Sequence, residues 1–154
     1  MLRPLMPDDA SDARTCVSAQ LAGTRYETRA LEQLDIALQF DDPEYMALLA
    51  SSRDERAVRG LVVFGTVAGA RGVVKVHVLV GRELETAVAL LEAVRVTSEH
   101  ASERMIVCEV PDDTPLRSAA DALEASGFVE VGRVADFVTD GVALRLLVHD
   151  LVGD

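Results

Sequence analysis

The stretch VKVHVLVGRELETAVALLEAV, Val74 to Val94, runs from β-branched residues through a single glycine straight into a helical repeat. Val73–Val80 reads as a strand, because β-branched side chains suit a pleated surface. Leu84, Val88, Leu91 and Val94 recur at helical spacing and predict a helix over residues 84–100. A second apolar run, Met105–Val110, reads as a buried strand. Strand, helix and strand in that order make two parallel strands joined by a right-handed crossover. The rest of the chain has to be built around that unit.

Upstream, Leu2–Met6 is a short strand, and Pro7, Asp8 and Asp9 turn it into a capped helix. Ala13, Cys16, Val17 and Leu21 carry that helix to Gly23. TRYETRALEQLDIALQF, residues 24–40, is a second helix with Leu31, Leu34 and Leu38 on one face, broken by Asp41-Asp42-Pro43. Tyr45–Ala50 and Val58–Phe64 are strands, with the polar SSRDER (51–56) as a hairpin loop and the glycine-rich GTVAGARG (65–72) as another loop. DDTPLRSAADALEASGF (112–128) is a helix with Pro115 in its first turn and Gly127 as its C-terminal cap. Val129–Phe137 and Val142–Leu147 form a closing hairpin around Thr139-Asp140-Gly141. The order is β-α-α-β-β-β-α-β-α-β-β. It predicts an α/β (α+β) fold, a mixed sheet with helices on both faces, in one domain over residues 1–154.

Composition narrows the functions open to such a fold. A hydrophobic fraction of 49% with 4% aromatics and no Trp calls for a core of Val, Leu and Ala. A net charge of −11 argues against nucleic acid or an anionic membrane as partner. Cys16 and Cys108 stand far apart without a CxxC or Cys/His cluster, which reads as two reduced buried thiols and no metal site. The N-terminal MLRPLMPDDA lacks the apolar run of a signal peptide, no segment is long enough to span a bilayer, and the expected location is the cytoplasm.

LRPLMPDDASDA at the start, RYETRALEQLDIALQFDDPEYMALLASSRDERAVRGLVVFG in the middle and LEASGFVEVGRVADFVTDGVALRLLVHDL at the end together resemble the GNAT superfamily of N-acetyltransferases over nearly the whole chain. The resemblance implies an acyl-CoA N-acyltransferase fold and transfer of an acetyl group from acetyl-CoA to a small-molecule or peptide amine. It also implies a pyrophosphate loop of the form Q/R-x-x-G-x-G/A, for which RELETA (82–87) is the match. Arg82 and Ala87 fit; Glu85 occupies the place of the central glycine, and only Gly81 separates Val80 from Arg82. On this basis Val78, Leu79, Val80, Gly81, Arg82, Thr86 and Ala87 are the expected cofactor-binding residues.

Two effects compete at Glu85. A carboxylate in a first helical turn stabilises by about 0.3–1 kcal/mol through the helix dipole. Beside a pyrophosphate ~4 Å away it costs ~2 kcal/mol after screening. Repulsion outweighs the dipole gain, so the turn reads as an acid-capped helix start. A phosphate cradle rescued by Arg82 is the other reading.

The resemblance places the pantetheine arm in a splay between Val76–Val80 and Ile106–Val110. The family's proton-donating tyrosine falls at Leu123, and a polar residue common at the start of that helix falls at Leu116. His77, taken as opposite in phase to Val76 and Val78, and Glu109, opposite to Cys108, are the candidate general bases. A structural histidine and a solvated or ion-paired glutamate are the plainer alternatives. Asp136 reads as a loop carboxylate within reach of a cationic substrate, His100 and His149 as surface residues, and Tyr26 and Tyr45 take no role. The alternative to a transferase is a GNAT-like module with a degenerate site that has lost acetyl-CoA and serves in binding, with homodimerisation through the terminal strands.

Overall fold

A computed structural model describes residues 1–52 and 57–152. The expected element order holds. β1 (Leu2–Pro4) leads through a 3₁₀ turn to α1 (Ala10–Leu21) and α2 (Glu27–Gln39). β2 (Met46–Ser51), β3 (Val58–Val67) and β4 (Ala70–Gly81) follow, then α3 (Leu84–His100) and β5 (Met105–Pro111). α4 (Arg117–Ala125), β6 (Val129–Thr139) and β7 (Val142–Asp150) complete the fold. The described residues form one mixed sheet in the order β1-β2-β3-β4-β5-β7-β6. Only β4 and β5 pair in parallel, as the crossover requires.

Two apolar layers cover the sheet. On one face Val62, Phe64, Val74, Val76, Ile106 and Leu147 pack under Leu90, Leu91 and Val94 of α3 and Leu123 of α4. On the other, Leu49, Leu61, Val63, Val78 and Val80 pack under Val17 of α1 and Leu34 of α2. Among the described residues no helix is long and apolar enough to cross a membrane.

Three expectations change. The glycine-rich segment 65–72 is not a loop: β3 runs to Val67 and β4 starts at Ala70, leaving Ala68 and Gly69 as the turn. Gly65 sits inside a strand because a Cβ there would come within 2.2 Å of the Glu44 carbonyl carbon. The 112–128 helix is shorter, a 3₁₀ turn (Thr114–Leu116) followed by α4. The third change concerns phase. Val63 pairs with Val78 and Phe64 with Val76, so His77 is the extra residue of a β-bulge. Val76 and Val78, expected on one face, therefore enter opposite cores. Of the SSRDER hairpin loop, residues 53–56 lie outside the described residues.

Candidate active site

The parallel pairing of β4 and β5 is brief. Val73, Val74 and Lys75 pair with Met105, Ile106 and Val107, and beyond them the strands part. β4 stays hydrogen-bonded to β3 up to Gly81 and β5 to β7 up to Pro111, so each half of the sheet is complete and the gap lies between them. A cleft of about 350 Å³ opens there, floored by Val76, Val78, Leu79 and Val80 and walled by α2 and α4.

His77 and Glu109 line this same cleft. The bulge sets His77 against the turn before β2, where its ring stacks on Tyr45 at 4.5 Å between centroids. Its Nε2 lies 2.9 Å from the Glu44 carbonyl oxygen. A carbonyl only accepts, so Nε2 carries the hydrogen and Nδ1 carries the lone pair. Burial depresses the imidazole pKa, the Glu44 hydrogen bond opposes this, and the positive charges of Lys75 and Arg29 lower it further. The ring is thus held neutral in one tautomer.

Glu109 is half exposed, and its Oε1 lies 3.5 Å from Nζ of Lys75 across the last paired rungs. Tyr26 also lines the cleft and donates its hydroxyl hydrogen to Asp113 at 2.7 Å, joining α2 to the loop before α4. Burial and this hydrogen bond push its pKa up to about 12. Neither Tyr26 nor Tyr45 was assignable from the sequence. They precede His77 by about fifty and thirty positions, and only the tertiary fold sets them against β4.

At the other end, a smaller cavity of about 130 Å³ meets the first turn of α3. Leu79, Gly81, Arg82 and Ala87 line it, together with Gln20 and Ser118. Gln20 donates to the Gly81 carbonyl. Gly81 lets the strand end close against α3, since a Cβ there would lie 3.1 Å from the Ala87 nitrogen. The first N–H groups of α3, from Leu84 to Thr86, have no intrahelical acceptor and face the region where an anion is favoured. The Thr86 methyl packs toward Gly60, and Thr86 is not among the residues lining the cavity. Glu85 is exposed in the first turn and does not line the cavity. Two acids do: Asp121 of α4, and Glu83, the N-cap residue, whose carboxylate leans to Arg59 at 3.5 Å. The Arg82 backbone N–H donates to the Arg59 carbonyl at 2.9 Å, while the Arg82 guanidinium has no hydrogen-bond or ion-pair partner among the described residues. Unpaired donors with a free guanidinium fit a diphosphate; Glu83 and Asp121 are the opposing charges.

The α4 wall is apolar. Leu116, Ala119 and Leu123 face the cleft, and Leu123 is fully buried. Cys108 of β5 lines the same cleft, with its thiol pKa pushed up to about 12 by burial. It is a packing residue, and both Cys16 and Cys108 are free. Asp136 stands outside the cleft: at φ +55° its carboxylate accepts the Gly141 N–H at 2.7 Å and shapes the β6–β7 hairpin. The same irregularity of β6 brings its neighbour Phe137 to the cleft mouth. His100 is exposed at the end of α3, whereas His149 is half-buried edge-on against Phe128.

No family model matches the chain, and no curated protein matches it in sequence. Solved structures do. A protein of the GNAT family from Desulfovibrio desulfuricans superposes with a TM-score of 0.84 at 18% identity, over 99% of both chains. The aminoglycoside 6'-N-acetyltransferase of Enterococcus faecium gives 0.78 at 12%, over 100% of this chain and 98% of that one. An aminoglycoside 6'-N-acetyltransferase complexed with coenzyme A gives 0.76 at 12%, again over 100% and 98%. The chain has the GNAT acyl-CoA N-acyltransferase fold.

Proposed function

We propose that this chain is an acetyl-CoA-dependent N-acetyltransferase acting on a small amine. The observation that carries the reading is the cleft between the parted strands, with a neutral histidine on its α2 side, which shares Leu79 and Ala119 with a second cavity at the free donors of α3. A similar structure is complexed with coenzyme A, which supports the cofactor assignment.

Acetyl-CoA would supply an activated thioester. Arg82 and the first-turn N–H groups of α3 would hold its diphosphate. Leu79, Ala119 and Leu123 give the narrow, dry wall that an extended apolar arm requires. His77, with Nδ1 unprotonated, takes the proton of the incoming ammonium, and Glu109 stabilises the charge that results. The Tyr45 ring and the Glu44 carbonyl fix the imidazole so that Nδ1 keeps its direction. With Leu123 in place of a phenol, the departing thiolate takes its proton from solvent.

The cytoplasm is the proposed location, where both thiols stay reduced. The proposed assembly is a homodimer through β6, an edge strand that exposes Val129, Val131, Val134 and Phe137. Size-exclusion chromatography with light scattering is expected to give twice the chain mass; a monomer at all concentrations would reject the dimer.

Calorimetry with acetyl-CoA tests the central reading, with micromolar binding expected. Arg82→Ala should weaken it about tenfold, and Glu83→Gln should strengthen it by about three- to tenfold, because the like charge beside the diphosphate is removed. Absence of heat at millimolar acetyl-CoA would leave the binding-module alternative standing.

A further inference from the structure

The acceptor side of the cleft is basic on a strongly acidic chain. Aspartate and glutamate number 26 against 15 lysines and arginines. Yet the charged side chains lining the cleft are Arg25, Arg29 and Lys75 against Glu109 alone. Lys75 and Glu109 face each other at 3.5 Å, which leaves the two arginines uncompensated.

Their placement runs against local electrostatics. Arg25 immediately precedes the N-cap residue of α2 and Arg29 lies in its first turn, where the dipole disfavours cations. They stand four residues apart, a spacing at which like charges on a helix repel. Arg3, Arg14, Arg59, Arg95, Arg133 and Arg145 each hold a carboxylate, whereas Arg71, Arg82, Arg104 and Arg117, like this pair, hold none among the described residues; what sets Arg25 and Arg29 apart is that both line the cleft. The guanidiniums of Arg25 and Arg29 have no hydrogen-bond or ion-pair partner among the described residues. Arginine offers planar paired donors that match a carboxylate, and a cleft mouth is where that capacity would be used.

We infer that the acceptor amine carries a carboxylate, which Arg25 and Arg29 grip at the cleft mouth while the amine lies toward His77 and Glu109. This rests on the transferase reading and narrows it to small aminocarboxylates, free amino acids being the simplest members. It also sets the chain apart from a polycationic acceptor, which the two guanidiniums would repel. Arg29 is near enough for its charge to be felt at His77, so acceptor and base share one chamber.

The test pairs each common amino acid with its C-terminal amide, which keeps the amine and removes the negative charge. Binding is read by calorimetry on the protein with and without acetyl-CoA, and turnover by release of the coenzyme thiol. At least one free amino acid is expected to bind about tenfold or more tighter than its amide. In the Arg25→Gln/Arg29→Gln double variant that ratio should fall to within about threefold, with acetyl-CoA affinity retained. Amides or polyamines bound as well as free acids by the wild type would overturn the proposal. So would a ratio that survives in the double variant while circular dichroism shows it folded. Single Arg→Lys variants provide a second reading, since a lysine keeps the charge and should recover part of the ratio. If acetyl-CoA gives no heat, the transferase reading fails separately, and the calorimetric ratio on the free protein still decides the carboxylate site.

Discussion

Replacing His77 by glutamine lowers kcat/KM for acetyl transfer by about 10²–10⁴-fold, the usual worth of a positioned general base. Glutamine keeps an N–H for the Glu44 carbonyl and so leaves the bulge supported, but it has no lone pair of comparable basicity. Acetyl-CoA affinity should stay within about threefold, since His77 lies on the α2 side and not among the residues around the α3 terminus. The pH profile gives a sharper readout. With the imidazole pKa depressed by burial, the acid limb of kcat/KM should fall below the ordinary histidine value of about 6.5. His77→Gln should abolish that limb. The same shift acts on stability: the folded state disfavours protonation, so its contribution is complete above the unfolded pKa and is lost as pH falls through the folded one. A variant with wild-type kcat/KM and an unchanged limb would remove His77 from the reaction and move attention to Glu109.

Gly65→Ala should be the most damaging single methyl in the chain. The added Cβ would sit 2.2 Å from the Glu44 carbonyl carbon and 2.3 Å from the Pro43 carbonyl oxygen, both backbone atoms. The Pro43 oxygen also accepts the Thr66 N–H at 3.0 Å, so the two segments cannot part without losing a hydrogen bond. Overpacking of this kind costs about 3 kcal/mol, or about 6–12 °C in Tm for a chain of this size. The displaced segment carries the carbonyl that orients His77, so turnover should fall along with stability. Thermal unfolding within about 1 kcal/mol of the wild type would contradict the close approach.

Periodicity carried the architecture. The valine run, the two flanking apolar elements and the Gly127 cap each follow from local chemistry, and the sheet order confirms the crossover they imply. Glycine was misread where it served proximity and not turning, as at Gly65. The site was legible only in part. His77 and Glu109 could be named because unlike residues stand out in apolar strands, and they do share a cleft. Strict alternation could not show the bulge at His77, which depends on how β3 pairs with β4. Motif alignment drew attention to Glu85, whereas the helix start puts Glu83 beside the cavity. Tyr26, Tyr45, Arg25 and Arg29 carried no local signal, since their importance comes from the start of α2 and the turn before β2 lying against a strand far along the chain.

The bulge makes β4 sensitive to length. Losing Val80 with the upstream register kept would bring Gly81 forward into the phase that faces the α1–α2 layer and off its seat against Ala87. The same loss at the Ala68–Gly69 turn would shorten only a hairpin tip on the far side of the bulge. Descendants of this chain are therefore freer to respell β4 than to recount it, and indels near the cleft should be far rarer than substitutions there.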